Sequence, residues 1–319
     1  MVKKGISIVK HCFIDAIQVA LRSSLWLMKF MIPTTFLVAM LDYFGIIEMI
    51  STFIEPIFMY AGLDARGVLV FITAIFASIY SAIAVIATLG VDYRMVVILS
   101  SMILIAHNII VESTIQKKTG YSYIGAAALR ILTAFGVGIV LNTMLPQNLE
   151  GNLILSAPMQ SENLTFWGAI KAWGWSVVVL AVKMTLFIYL LNALQNILRE
   201  FKILDVLIKP FTYLMRFMGL SDTVTFLWLV ANTLGLAYGG AVMIEGAKSG
   251  EVEQEDMNLL NTSIGITHSL VEDTILLNMV GVPVLLLVLP RMVCSILFVW
   301  MQRGINCLVR RENMAKKAV

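Results

Sequence analysis

Two short stretches of the sequence carry the same pattern of ionisable and polar residues. Residues 107–113 read His-Asn-Ile-Ile-Val-Glu-Ser, and residues 268–274 read His-Ser-Leu-Val-Glu-Asp-Thr. When they are aligned without a gap, the two histidines coincide and Glu112 meets Asp273. Both stretches lie inside apolar segments, where an ionisable side chain is costly and marks a functional site. Because histidine titrates near neutral pH and a neighbouring carboxylate can be shifted to do so, the pattern predicts proton binding.

Each stretch is followed by an arginine at the same distance. His107 and Arg130 are 23 residues apart, and so are His268 and Arg291. An unpaired charge in a low dielectric is costly, so we expect both arginines to be buried ion-pair partners of the carboxylates. Two interpretations of the whole set remain open at this point. The residues either couple a proton to function or form a hydrogen-bonded network that ties two repeats together.

The composition is that of an integral membrane protein. Of 319 residues, 59% are hydrophobic and 13% are charged, and the mean hydropathy is +0.88. Soluble domains have about 45–50% apolar and about 25% charged residues, and a transmembrane helix takes about 20 residues. We therefore expect an all-α polytopic protein of the inner membrane. The net charge of +3, with lysines and arginines clustered near both ends, indicates orientation in the membrane and no nucleic-acid partner.

The order of the segments suggests an internal duplication. Lys29 and Pro56 are 27 residues apart, as are Lys183 and Pro210, and the 23-residue His–Arg interval also recurs. Matching intervals of this kind indicate repeats. The predicted organisation is a basic amphipathic N-terminal helix (1–23), a first repeat (24–145), an outside linker (146–166), a second repeat (167–302) and a basic cytoplasmic tail (303–319).

The distribution of lysine and arginine predicts inverted repeats. Both termini are basic and are expected to be cytoplasmic, whereas the central linker has neither residue and is expected outside. Each half then crosses the membrane an odd number of times although it has four apolar segments. We assign residues 66–92 and 223–247 as re-entrant hairpins, because small and polar residues occupy their centres. Each repeat then has about three spans and one interfacial helix, at 42–62 and 199–218. The alternative is that the histidine-bearing segments are re-entrant.

This sequence resembles bacterial and archaeal membrane proteins built from two Gate domains, also called nucleoside recognition domains. The resemblance covers nearly the whole chain, and its most specific parts are His107–Glu112 with Lys117-Lys118-Thr119-Gly120, and His268–Thr274. Gate domains also occur in concentrative nucleoside transporters, the membrane part of the ferrous-iron transporter B, and spore maturation proteins. The resemblance implies inverted repeats that enclose a substrate near mid-membrane. The sequence lacks the Gln-Thr-Glu and Asn-Glu hairpin tips of the nucleoside transporters and has no G-x4-G-K-[ST] phosphate loop.

Broken helices in inverted repeats place a binding site between the repeats. Helix N-termini at such breaks suit an anionic group. The predicted site consists of the hairpin centres and the two histidine stretches. Its residues are Tyr80, Ser81, His107, Asn108, Glu112, Asn232, Tyr238, Gly239, Gly240, His268, Ser269, Glu272 and Asp273.

The predicted function is secondary transport of a small polar solute, nucleoside-like or anionic, coupled to protons in preference to sodium. One alternative is a non-transporting scaffold or lipid-handling component. Another is a divalent-metal permeation unit, since His268 and Glu272 are four residues apart and share a helix face. No nucleophile–base spacing predicts an enzyme, and no cofactor is expected. The expected partners are the lipid bilayer, the solute and the coupling ion; a homo-oligomer is left open.

Overall fold

The computed structural model describes residues 2–46, 49, 56–153 and 165–317. Every regular element in this part of the chain is a helix, which confirms the all-α prediction. Two short 3-10 turns, Met59–Ala61 and Asp222–Val224, precede the two hairpins. The α-helices are α1 (Val2–Tyr43), α2 (Ala65–Phe76), α3 (Ile79–Leu89), α4 (Tyr93–Ala106), α5 (Ile109–Lys118), α6 (Tyr123–Met144), α7 (Phe166–Glu200), α8 (Ile203–Met218), α9 (Thr225–Thr233), α10 (Gly235–Ser249), α11 (Gln254–Thr267), α12 (Glu272–Val280) and α13 (Val284–Lys317).

Four segments among the described residues are long and apolar enough to cross a membrane. They confirm that the protein is a polytopic membrane protein. The central segment of α4 and α5 is the most enclosed, with 83% of its most apolar window buried inside the protein, against 22% for α13. The segments are Tyr93–Lys118, Tyr123–Met144, Phe166–Glu200 and Val284–Arg310.

The N-terminal helix and the C-terminal tail differ from their predicted boundaries. We expected a separate amphipathic helix at 1–23, but α1 continues without a break to Tyr43. No glycine or proline lies near residue 23 to end it. The tail predicted from residue 303 is likewise a continuation of α13 to Lys317.

Two helical hairpins lie where the sequence predicts them. Helices α2 and α3 pack against each other, and so do α9 and α10. The chain turns at Ala77–Ser78 in the first hairpin and at Leu234 in the second. A helix of 12 residues, such as α2, is about 18 Å long, which is shorter than the roughly 30 Å hydrocarbon core. The hairpin helices are therefore too short to span individually.

The histidine-bearing segments are also broken, but the chain does not fold back there. Helices α4 and α5 make little contact with each other, as do α11 and α12, because each pair continues onward. Asn108 and Ser269 form the breaks, with left-handed φ values of 49° and 50°. The Asn108 amide donates to Ala74 O at 2.8 Å, and the Ser269 amide donates to Ala231 O at 3.1 Å. Each break is thus fixed to the end of the first hairpin helix of its own repeat.

Contacts between the repeats are reciprocal, as expected for a pseudo-twofold arrangement. Helix α4 packs on α13, and its counterpart α11 packs on α6. The Tyr93 hydroxyl donates to Gly281 O at 3.1 Å. At the equivalent position of the second repeat, Gln254 Nε2 donates to Thr119 O at 3.2 Å. The two halves of the chain therefore make matching contacts, and the central helix of each half also packs against the other half.

The amphipathic helix predicted at 199–218 corresponds to α8. Its inner face packs through Met215 and Met218, whereas Tyr213 and Phe217 are exposed. It ends at Gly219, whose φ of 81° favours glycine. Of the helix predicted at 42–62, residues 47, 48 and 50–55 lie outside the described residues, as does the middle of the linker predicted at 146–166. The described ends of that helix are the last residues of α1 and the turn Met59–Ala61, which Gly62 closes.

Candidate functional site

The two histidines lie at the ends of the central helices and face each other. His107 Nδ1 is 2.9 Å from Ile103 O, and His268 Nδ1 is 3.1 Å from Ile264 O. Because a carbonyl oxygen only accepts, each Nδ1 carries a proton and each Nε2 is directed away from its own helix end. The ring centroids are 4.9 Å apart, and the residues are 5% and 1% exposed.

The two arginines satisfy the carbonyl groups that the helix breaks leave without partners. Arg130 donates from Nε to Ile105 O at 2.7 Å and from Nη2 to His107 O at 2.6 Å. Arg291 donates from Nε to Ile266 O at 2.9 Å, and from Nη2 to the carbonyl of the second histidine. The last turn of a helix has free C=O groups, so these bonds stabilise both breaks. Both arginines are fully buried.

Glu112 connects the two repeats at the centre of the cluster. Its Oε2 lies 2.5 Å from Arg130 Nη2 and 2.9 Å from His268 Nε2. Its Oε1 lies 3.3 Å from His107 Nε2. One carboxylate from the first repeat therefore contacts an arginine of its own repeat and the histidines of both.

The second repeat does not reproduce this pairing, which corrects our expectation for Arg291. No carboxylate oxygen of the described residues lies within 4.0 Å of the Arg291 guanidinium. Asp273, the counterpart of Glu112, instead places Oδ2 at 3.5 Å from His107 Nε2. Two differences contribute. Aspartate is one methylene shorter than glutamate, and α12 begins four residues after its histidine whereas α5 begins two residues after its own.

Glu272 points to a different set of partners. The Tyr80 hydroxyl lies 3.5 Å from its Oε1, and Gln195 Nε2 donates to its Oε2 at 3.1 Å. A Cβ on Gly235 would lie 2.8 Å from the same Oε2, so the close approach requires glycine there. The carboxylate therefore joins α3, α7 and the start of α10. Gln195 was not among the predicted site residues; the sequence signal for it is an amide within a long apolar helix.

The remaining hairpin residues of the second repeat are not arranged around the histidines in the way we expected. Tyr238 is 47% exposed and lies under the Arg199 guanidinium, 5.3 Å from the ring centroid. A Cβ on Gly239 would meet the backbone of Ala231, and one on Gly240 would meet a side chain of α5. These glycines allow α10 to pack closely against its neighbours. The prediction for them was wrong because helix packing decides which face of α10 turns inward.

Ser81 and Asn232 support backbone at the hairpin turns. The Ser81 amide donates to Ser78 Oγ at 3.1 Å at the start of α3. Asn232 donates from Nδ2 to Trp228 O at 2.9 Å, and its backbone carbonyl accepts from Val271 N at 2.9 Å. Both residues are buried. The Ser78–Ser81 bond caps the start of α3, whereas Asn232 ties the second hairpin to the segment that follows His268.

The cluster is poorly suited to a divalent metal. His107, His268 and Asp273 each offer a ligand atom within 4.8 Å of the others. However, Arg130 Nη2 lies 3.4 Å from His268 Nε2 and would repel a cation bound there. Glu272, predicted to lie with the histidines, is turned toward Tyr80 instead.

The arrangement is suited to holding a proton. Each histidine has a carbonyl acceptor at Nδ1 and a carboxylate oxygen beside Nε2, so a doubly protonated ring satisfies both sides. The count of charged groups also favours one bound proton. The cluster and its immediate neighbour Glu272 contain two guanidinium groups and three carboxylates, those of Glu112, Glu272 and Asp273, so one further proton makes the set neutral. Burial in a low dielectric favours that neutral state.

Comparison with known proteins supports the membrane assignment. The chain is 27% identical over 297 residues to an uncharacterized membrane protein, YvoD, of Bacillus subtilis (strain 168), covering 91% of this chain and 93% of that protein. Both are membrane proteins. No protein-family model matches the chain. No solved structure matches it.

Proposed function

We propose that this protein is a secondary transporter for a small polar solute, with its site between the two repeats. The observation that carries the proposal is that the two histidine breaks meet at one buried cluster of charges, with the ring centroids 4.9 Å apart. The breaks at Asn108 and Ser269 are each bonded to the first helix of a hairpin, at Ala74 O and Ala231 O, three residues before it turns. Broken helices at the interface of repeats are the usual construction of a transporter site. A site shared by two repeats can be opened to either side by rocking one repeat against the other.

The coupling ion in this proposal is the proton, with sodium as the alternative. Glu112 lies between His107, His268 and Arg130, so a proton can move between the carboxylate and either ring without crossing apolar space. Ionisable groups buried at this depth are expected to serve ion or proton pathways. The resemblance to Gate-domain proteins supports a site between the repeats, because the repeat order and hairpins follow that arrangement.

One observation favours a structural role as the second candidate. His107, Glu112, His268 and Asp273 are each 5% exposed or less, as expected of a network that ties the repeats together. A scaffold or lipid-handling protein would keep this network closed, whereas a transporter must open it. The two candidates therefore differ in whether a solute binds among these residues.

A thermal-shift screen of the purified protein in detergent tests the proposal. Nucleosides, nucleobases, amino acids, small carboxylates and divalent metals are added to wild type and to the His107→Ala, His268→Ala double variant. An exposed substitution, Arg216→Ala, serves as the control. A transporter predicts a solute that stabilises wild type and the control but not the double variant. If no solute stabilises any of the proteins and the double variant is strongly destabilised, the structural role replaces the proposal.

A further inference from the structure

Resting on the proposed function, we infer that the transported solute carries a carboxylate, which binds at Arg291 together with one proton. The two arginines differ in their partners, which breaks the symmetry between the repeats. Arg130 has the Glu112 carboxylate at 2.5 Å. Arg291 is equally buried, at 0% exposure, but has no carboxylate of the described residues within 4.0 Å.

The Arg291 guanidinium retains free donor capacity. Its Nε and Nη2 bind the carbonyls of Ile266 and His268. Its Nη1 has no hydrogen-bond partner within the described parts of the chain. A buried charge without a paired counter-charge is costly, and a buried donor without an acceptor adds to that cost. An anionic group beside Arg291 removes both costs.

The pseudo-twofold relation identifies the kind of group that fits. At Arg130 the position is filled by a carboxylate that also contacts the histidine of the other repeat, His268, at 2.9 Å. The equivalent position at Arg291 lies toward His107, whose Nε2 is directed into the cluster. A planar carboxylate matches the planar guanidinium and can accept two parallel hydrogen bonds. We therefore place the solute's carboxylate beside Arg291, at the position equivalent to that of the Glu112 carboxylate beside Arg130.

A proton must accompany the anion because Asp273 borders the same position. Asp273 faces His107 at the end of α4, Glu112 on α5, Arg130 on α6 and Arg291 on α13, with Glu272 next to it in the chain. Its Oδ2 has no hydrogen-bond partner within the described residues. Two carboxylates that share a site hold one proton between them. Solute binding thus forms an O–H bond on Asp273 with a proton from solvent, and the cluster's net charge does not change.

This arrangement sets the stoichiometry at one proton for each carboxylate. The negative charge of the solute's carboxylate and the positive charge of the proton cancel, so binding is electroneutral. A neutral solute has no need of the proton, because it adds no negative charge to the cluster. Proton uptake on binding therefore distinguishes a carboxylate solute from a neutral one.

The test is titration calorimetry of the detergent-solubilised full chain at pH 7 in two buffers with different ionisation enthalpies. The probes are gluconate, nicotinate and N-acetylglycinate, each paired with its carboxamide. We expect at least one carboxylate to bind with uptake of about one proton and at least tenfold tighter than its amide. In Asp273→Asn the carboxylate still binds, but proton uptake is lost. Asp222→Asn, at the exposed pair with Arg216, is the matched control and behaves as wild type.

The variant Asp273→Glu provides a gain-of-stability test. The longer side chain reaches Arg291 as Glu112 reaches Arg130, so the unfolding temperature rises and carboxylate binding is lost. A lower unfolding temperature, or unchanged binding in this variant, overturns the inference. So does an amide that binds as tightly as its acid, although the transporter proposal then survives with a neutral solute. If no solute of any class binds in this titration or in the thermal-shift screen, the proposed function itself fails.

Discussion

Arg130 and Arg291 occupy equivalent positions in the two repeats and hold the two central helices in the same way. Each donates from Nε and Nη2 to two carbonyls at the end of a helix that stops at a histidine. The side chains are therefore structural parts of the helix breaks and also the positive charges of the site. This double role explains why two arginines are buried in an apolar protein, where each is costly.

Loss of Arg130 should destabilise the protein strongly. Arg130→Gln leaves the Glu112 carboxylate buried beside the histidines and leaves two carbonyls with weaker donors. Breaking a buried pair by removing one partner costs about 3–5 kcal/mol. The measurement is unfolding in mixed micelles at increasing SDS fraction. Arg216→Gln breaks an exposed ion pair with Asp222 and should change the unfolding midpoint little; equal effects of the two substitutions would refute the buried pair.

Gly235 should not tolerate a side chain. Its φ is 76°, and a Cβ would lie 2.8 Å from Glu272 Oε2. Gly235→Ala therefore adds left-handed strain of about 1–2 kcal/mol and displaces Glu272 from Tyr80 and Gln195. Gly136→Ala, in a helix and with open space at its Cβ, should instead stabilise by roughly 0.5–1 kcal/mol. Thermal unfolding of both variants checks the prediction, and opposite signs are expected.

The helix break at Asn108 should accept glycine and reject a β-branched residue. Asn108 has a φ of 49°, which asparagine and glycine adopt and valine does not. We expect Asn108→Gly to unfold near the wild-type temperature and Asn108→Val to lose on the order of 2 kcal/mol. The same pair of substitutions at Ser269, with a φ of 50°, should behave alike. A Val variant as stable as the Gly variant at both positions would show that the breaks are not required.

The inverted topology predicts different labelling of two exposed positions. Gln147 lies after α6 at the end expected outside, and the native Cys307 lies in the C-terminal part of α13 expected inside. In intact spheroplasts a membrane-impermeant maleimide should label Gln147→Cys but not Cys307. Permeabilisation should then expose Cys307. Labelling of both positions from outside would contradict cytoplasmic placement of the C-terminus.

The sequence was sufficient to predict the elements that pattern and spacing define. Small and polar residues at the centres of 66–92 and 223–247 predicted the hairpins, and the structure has them there. The paired histidine stretches predicted one cluster from two distant segments, and His107 and His268 do face each other. These predictions succeeded because chain breaks and burial of charge are properties of local sequence.

Features that depend on side-chain reach or on packing were not predictable in this way. Alignment treats Glu112 and Asp273 as equivalent, yet side-chain length and the start of the following helix differ, and only Arg130 has a carboxylate of the described residues within 4.0 Å. The exposure of Tyr238 depends on which face of α10 packs inward, which composition does not specify. The contact of Gln195 with Glu272 joins residues 77 positions apart, and no motif connects them.

Solute-driven proton movement is the measurement that tests the central claim most directly. The full chain is reconstituted in liposomes that contain a pH-sensitive dye, and gluconate, nicotinate, uridine or glycine is added outside. Protein-free liposomes correct for passive entry of weak acids. We predict that one of these solutes acidifies the interior of liposomes that contain the wild-type protein. Glu112→Gln, once size-exclusion chromatography has shown that it is folded, should give no acidification. Proton entry that is unchanged by Glu112→Gln, or solute entry without any proton, would contradict coupling through this cluster.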